Sequence, residues 1–374
     1  MLAGMVIIAV AILSFANGAN DNFKGVATIY GSGTASYRTC VVWATITTLA
    51  GSVLAPVLAG GLIQTFRAKG LVPDSIAVRP EFLGSAALAA GVVVLSATRF
   101  GMPVSTTHAL TGGLIGAGLV AAGGDVDLSV LQRGFLAPLL ISPVLAMTLV
   151  MIAYPLARLL RRGVRIEPTS CVCVGAEWVP TGQLVAGGAR LIEGDRRIVL
   201  TTGTRAQCQR RYDGAVLGID AQRFVDAAHF LTAGAVCFAR GLNDTPKLLA
   251  MVMVVEIALP NTVPLGAVSI AIALGGLLGA RRVAETVGKK ITPLDPGQGL
   301  VANASTASLV IAASIWQLPV STTHVSTGCI FGIGVLRRTA QWRVLGGILL
   351  AWLTTLPLAA VVGAVLYSLI RYLH

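Results

Sequence analysis

The sequence predicts an all-α polytopic membrane protein: two inverted transmembrane repeats with broken helices, separated by a small soluble β-containing insert. Three observations lead there: the composition, the lengths of the apolar stretches, and a duplication of polar motifs. Hydrophobic residues make up 55% of the 374 and charged residues only 12%, with a mean hydropathy of +0.80. A soluble domain carries about 25% charged residues, so this chain has too little charge to coat a water-facing surface. Soluble enzymes, secreted disulfide scaffolds and disordered proteins are excluded. The formal net charge of +12 reads as basic residues gathered in cytoplasmic loops, and no nucleic-acid partner is expected.

Apolar stretches, several of spanning length, fall near 1–16, 41–63, 82–98, 109–122, 135–157, 224–239, 245–280 (interrupted at Pro260–Pro264), 300–316, 325–336 and 344–370. The first lacks a basic leader and runs into Asn17-Gly18-Ala19-Asn20-Asp21 instead of a cleavage site, so it reads as a retained helix. Between Arg158 and Asp213 lie ten Arg and five acidic residues, and Arg190 to Leu200 reads as a β-hairpin around Gly194-Asp195. The organisation that follows is a first transmembrane repeat at 1–157, an insert at 158–222 and a second repeat at 223–374. Cys40, Cys237 and Cys329 sit in apolar segments as small hydrophobes. Cys171, Cys173 and Cys208 in the insert lack the fourth ligand of a structural zinc site. The insert is therefore read as a regulatory or docking element.

The halves repeat. Phe15 to Lys24 aligns without gaps on Phe238 to Lys247 with six identities in ten. Pro103-Val-Ser-Thr-Thr-His108 recurs as Pro319-Val-Ser-Thr-Thr-His324, and the match continues through Thr111/Thr327, Gly112/Gly328, Gly116/Gly332 and Gly118/Gly334, ten identities in sixteen. Gln64-Thr65 matches Glu285-Thr286 more weakly. Internal duplication with interrupted apolar segments marks secondary transporters. If each Ser-Thr-Thr segment belongs to a crossing broken helix, each half crosses five times, and an odd number inverts the halves. With the insert inside, nine basic residues then share its side against five opposite, compared with eight and six for re-entrant segments.

A carboxylate in an apolar core is costly unless it is paired or faces water. Asp21 and Asp244 hold equivalent positions, each after an Asn (Asn20, Asn243) and close to a Gly (Gly18, Gly241) read as interrupting the helix and freeing carbonyl oxygens. Together these are hard oxygen ligands, a candidate sodium site at Asn20, Asp21, Asn243 and Asp244. Lys24 and Lys247 follow three residues after each Asp. Each either pairs with its Asp, helps bind an anion, or places its ammonium where a metal cation would sit. In the two Pro-Val-Ser-Thr-Thr-His boxes, Pro breaks the preceding helix. Ser105, Thr106 and Thr107, and Ser321, Thr322 and Thr323, then offer hydroxyl and N–H donors at a new helix N-terminus, an anion cradle. His108 and His324 either carry protons or hold the hydroxyls in place, and the structural role is preferred.

With these boxes the chain resembles the inorganic phosphate transporter family, phosphate permeases that include some sulfate permeases. The resemblance rests on Gly-Ala-Asn-Asp at 18–21, Gly-Leu-Asn-Asp at 241–244 and both Pro-Val-Ser-Thr-Thr-His boxes, and it covers the membrane halves but not the insert. It implies a multi-pass protein of the cell membrane working by alternating access, with a cytoplasmic insert and both termini outside. It further implies phosphate held by Ser105, Thr106, Thr107, Ser321, Thr322 and Thr323, and ion coupling or phosphate binding at Asn20, Asp21, Asn243 and Asp244. Many members follow the first Asn-Asp with small residues of the Val-Ala-Asn type, where this chain has Asn22-Phe23-Lys24. The expected function is symport of inorganic phosphate, with sulfate as the alternative substrate and an anion sensor or membrane enzyme as the remote one. Phosphate near neutral pH can donate a hydrogen bond to Asp21 or Asp244, which sulfate cannot. No cofactor is expected beyond a coupling ion, proton or sodium. Proton is preferred because Lys24 and Lys247 compete with sodium for the carboxylate oxygens. The expected partners are phosphate and the bilayer, with room for a homo-oligomer.

Overall fold

In each half, runs rich in Leu, Val, Ile and Ala lengthen into helices that continue through Pro56, Pro143, Pro155, Pro246 and Pro357. The computed structural model describes residues 2–68, 70–163, 170–184, 190–204, 217–253 and 262–373. Its described residues contain ten long helices, five in each half in the same order. These are α1 (Leu2–Asp21), α2 (Tyr37–Leu58), α3 (Pro80–Arg99), α4 (Thr106–Ala121) and α5 (Ala137–Gly163), then α6 (Ala221–Val252), α7 (Thr262–Gly279), α8 (Pro296–Ile315), α9 (Thr322–Arg337) and α10 (Trp342–Leu373). Local chemistry sets the starts. Ser36 Oγ accepts from Thr39 N at 3.2 Å to cap α2, and Asp295 and Gln298 form a capping box ahead of Pro296 at α8. The expected interruption at Pro260–Pro264 lies partly outside the described residues, which resume at Thr262.

Seven of the described helices are long and apolar enough to cross a membrane: α1, α2, α3, the 129–163 helix, α7, α8 and α10. The helices α4 and α9 have 16 residues each, about 24 Å of rise, short of the ~30 Å hydrocarbon core. Helix α6 is long, but Arg240, Asp244 and Lys247 lie along it.

The expected glycine breaks are not where the helices break. Helix α1 continues through Gly18 to Asp21 and unwinds only over Asn22–Val26, and α6 runs unbroken through Gly241, Asp244, Pro246 and Lys247. What the glycines provide is close approach. A Cβ on Gly18 would strike the carbonyl of Ile272 in α7, and one on Gly241 would strike that of Thr48 in α2. The first helix of each half thus lies on the second helix of the other. Gly112 and Gly116 of α4 meet the carbonyls of Leu356 and Ala360 in α10 in the same way, a small-xxx-small contact.

The chain divides into two units, Met1–Pro155 with His229–His374, and Leu156–Ala228. The second unit holds a sheet of order β2-β1-β3, built from β1 (Ser170–Leu184), β2 (Arg190–Thr204) and β3 (Leu217–Asp220). β1 pairs antiparallel with β2 from Ser170↔Thr204 to Leu184↔Arg190. The expected turn at Gly194-Asp195 is therefore corrected: both residues lie inside β2, opposite Pro180 and Val179. A partner strand of equal length outcompetes a local reversal, and Pro180 is tolerated because β3 pairs only with Cys171–Val174. Cys208 lies outside the described residues.

The Gly116 contact gives a direct check. Gly116→Val places two methyl groups against the α10 backbone and should destabilise by about 1–3 kcal/mol, lowering the thermal unfolding midpoint in detergent. Gly4→Ala, where a Cβ meets nothing within 4 Å and Ala is the better helix former, should not lower it.

Candidate functional site

The duplicated decapeptides and boxes converge on one buried centre. Helix α1 supplies Asn17, Asn20 and Asp21, the turn after it Asn22 and Lys24, and α6 supplies Arg240, Asn243, Asp244 and Lys247. The N-terminal turns of α4 and α9 complete it. Asp21, Lys24, Arg240, Asp244 and Lys247 are each no more than 3% exposed. Two carboxylates thus face three cations, one positive charge in excess.

The lysines cross between halves. Lys24 Nζ donates to Asp21 Oδ1, to Asn20 Oδ1 at 2.8 Å, to the Val104 carbonyl at 2.7 Å and to Thr323 Oγ1 of the other half at 2.6 Å. Lys247 Nζ donates to Asp244 Oδ1 at 3.1 Å, to the Val320 carbonyl at 3.1 Å and to Thr107 Oγ1 of the other half at 2.7 Å. Thr323 Oγ1 also reaches the Val104 carbonyl at 2.9 Å, and Thr107 Oγ1 the Val320 carbonyl at 3.4 Å. The free carbonyls foreseen beside the glycines come instead from the Val of each box. The expected break of the preceding helices at Pro103 and Pro319 is corrected: α3 already ends at Arg99 and α8 at Ile315, the chain turns through positive φ at Gly101 and Gln317, and each Val lies in the non-helical stretch before the next helix.

Both boxes start helices. Ser105 Oγ accepts from the backbone N–H of His108 at 3.1 Å and Ser321 Oγ from that of His324 at 3.2 Å, so both serines serve as N-caps. Thr106 donates to Asp21 Oδ2 at 3.0 Å. Thr322 is buried. The histidine rings do not hold the hydroxyls; only their backbone N–H groups do. The rings stand 4.5 Å apart between centroids, and His324 stacks on Trp352 at 3.8 Å. Asn20 Nδ2 donates to Thr98 Oγ1 at 2.8 Å and the Met102 carbonyl at 3.0 Å, which fixes the chain between α3 and the first box. Asn243 Nδ2 donates to Asp244 Oδ1 and to the Val320 carbonyl, each at 3.1 Å.

Sequence reasoning missed Asn17 and Arg240. Asn17 Nδ2 lies 3.2 Å from Asp21 Oδ2 and 3.0 Å from Asp244 Oδ2, so one amide bridges carboxylates from both halves. Arg240 reaches Asn17 Oδ1 at 3.2 Å and Asn22 Oδ1 at 3.3 Å, with Nε 3.8 Å from Asp244 Oδ2. The signal was present: both occupy the third position of the repeated decapeptide, and both are polar in an apolar helix. A separate buried cluster joins His229 Nε2 to Thr28 Oγ1 at 2.9 Å and Thr28 to Asn303 Oδ1 at 3.0 Å.

A helical protein with several membrane-length helices, whose buried ion pairs among the described residues gather where its two related halves meet, is by class a polytopic membrane transporter. The model of the phosphate transporter family matches residues 17–363, and the chain belongs to that family. It is 27% identical to a putative phosphate permease of Pyrococcus abyssi, over 96% of this chain and 95% of the relative. It is also 27% identical to a probable low-affinity inorganic phosphate transporter of Mycobacterium bovis, over 99% of this chain and 78% of that one. Its fold matches a solved structure described as the sodium-dependent phosphate transporter, with a TM-score of 0.75, 22% identity and full coverage of both chains.

Because Asp244 is the carboxylate beside Lys247 and Arg240, Asp244→Asn should leave buried cations unpaired and cost about 3–5 kcal/mol. Asp244→Asn combined with Lys247→Met removes a charge of each sign and should recover part of that loss. Thermal unfolding of the three proteins in detergent measures the coupling; equal midpoints for the single and double variants would refute the pairing.

Proposed function

We propose that the protein is a secondary active transporter that imports inorganic phosphate across the cell membrane by alternating access, as a symporter driven by an ion gradient. The observation that carries this reading is the pair of Ser-Thr-Thr helix N-termini brought together beside a centre with one positive charge in excess. Helix N-termini and hydroxyls supply donors for oxyanion oxygens, and the surplus charge offsets the cost of taking an anion out of water. The six box residues Ser105, Thr106, Thr107, Ser321, Thr322 and Thr323 form the phosphate site, with Asn20, Asp21, Lys24, Asn243, Asp244 and Lys247 as the ion-coupling residues beside it. Thr107 and Thr323 now hold ammonium groups, so an entering phosphate would accept from hydroxyl and ammonium together. Each of these residues is buried, and access requires the halves to part on one side and then the other. The halves are inverted repeats in this reading, with the insert cytoplasmic and both termini outside. Asp21 and Asp244 can accept the proton that phosphate carries and sulfate lacks, so phosphate is preferred.

Uptake of labelled phosphate into proteoliposomes tests this, with unlabelled sulfate expected to compete poorly. Thr107→Val and Thr323→Val each delete one donor at nearly constant volume. A hydrogen bond to a charged group is worth about 1.5–3 kcal/mol, so the affinity for phosphate should fall about ten- to hundredfold. Normal affinity in both folded variants, or no uptake by the wild type under any ion gradient, would count against the reading.

Orientation has its own check. In a chain freed of Cys171, Cys173 and Cys208, Ser170→Cys should resist a membrane-impermeant thiol reagent in intact cells and react after permeabilisation. Labelling from outside would reverse the topology.

A further inference from the structure

We propose that Lys24 and Lys247 are tethered replacements for coupling cations: their ammonium groups fill two cation cages, and the protein carries phosphate without binding sodium. This rests on the transport reading above and concerns what accompanies the anion. Around Lys24 Nζ stand a carboxylate oxygen of Asp21, the Asn20 amide oxygen at 2.8 Å, the Val104 carbonyl at 2.7 Å and the Thr323 hydroxyl at 2.6 Å. Carboxylate, amide, carbonyl and hydroxyl oxygens are the ligands that hard cations take, and carbonyls at broken helices hold coupling ions in transporters. An ammonium has three N–H bonds to give, yet four oxygens converge here. The shell therefore suits a spherical cation at least as well as the ammonium that fills it.

The second half builds the same shell. Lys247 Nζ meets the Asp244 carboxylate and the Val320 carbonyl at 3.1 Å each and the Thr107 hydroxyl at 2.7 Å. The counterpart of Asn20 Oδ1 is Asn243 Oδ1, which is buried and has no hydrogen-bond partner among the described residues. Two shells of one chemical design, related by the repeat and each entered by a lysine three residues beyond the Asp, are not incidental ion pairs. A sodium ion placed in either would stand beside a fixed ammonium and compete with it for the same oxygens. The solved structure with the same fold is described as sodium-dependent; the residues of this chain do not fit that ion. The driving ion must then be another, and a proton is the simplest candidate.

The cages can be read without transport, by thermal unfolding of the purified protein in sodium chloride and in choline chloride at equal ionic strength. The wild type should melt at the same temperature in both. Lys24→Asn and Lys247→Asn shorten the side chain and open the cage, so sodium should raise their midpoints by a few degrees, as expected for a ligand that binds only the folded state. A wild type stabilised by sodium, or folded variants indifferent to it, would overturn the proposal. If neither variant folds, the wild-type comparison decides alone, together with uptake: equal rates in sodium and choline support the proposal, and a tenfold loss in choline overturns it. Absence of uptake in every medium would sink the transport reading, while the melting comparison would still decide the cages.

Discussion

Five charged side chains share one buried space, and most of the architecture around them keeps each one partnered. Alone, any of these charges would cost several kcal/mol in an apolar interior, and removing one partner of a buried pair is more damaging than replacing both by apolar residues. Asp21 and Asp244 come from different halves yet accept from the same Asn17 amide, so the halves are joined at their most polar point. That junction requires helices to approach to backbone distance, which only glycine permits at Gly18 against Ile272 and at Gly241 against Thr48. The small residues are a consequence of the charged ones.

Duplication alone would give a symmetric centre, and the departures from symmetry are where its electrostatics are set. Asn17 and Arg240 hold the same place in the repeat, but one is a neutral bridge and the other adds the surplus positive charge. Lys24 is held by four oxygens and Lys247 by three. The backbone differs too, since α1 unwinds after Asp21 whereas α6 continues past Lys247. A site with one rigid and one unwound side can change shape on the unwound side without melting the other.

Much of this was legible in the sequence, because polar residues in an apolar chain stand out and their repetition removes chance. The spacing of Asp and Lys gave the ion pairs, and Pro-Val-Ser-Thr-Thr gave the starts of α4 and α9. What stayed hidden depends on three dimensions. Gly beside Asn-Asp suggested a break, but glycine serves equally for close packing, and only the neighbouring helix decides which. Asn17 and Arg240 differ in type, so an identity-based comparison passed over them. No one-dimensional pattern could reveal that Lys24 reaches the box of the opposite half. The strand through Gly194-Asp195 was misread because the partner that straightens it lies elsewhere in the chain.

The crossed lysines also bear on how the protein is made. Lys24 finds Thr323 across 299 positions of sequence, and Gly18 rests on a helix that begins at Thr262. During synthesis, α1 is complete long before either exists. Within the first half Asn20 and Asp21 already find Thr98, the Met102 carbonyl, Lys24 and Thr106, whereas Asn17 meets Asp244 and Arg240 only once the second half is present. The contacts between the halves therefore close late, by long-range encounter, and a truncated first half would leave Lys24 without Thr323 and Asn17 without Asp244 and Arg240.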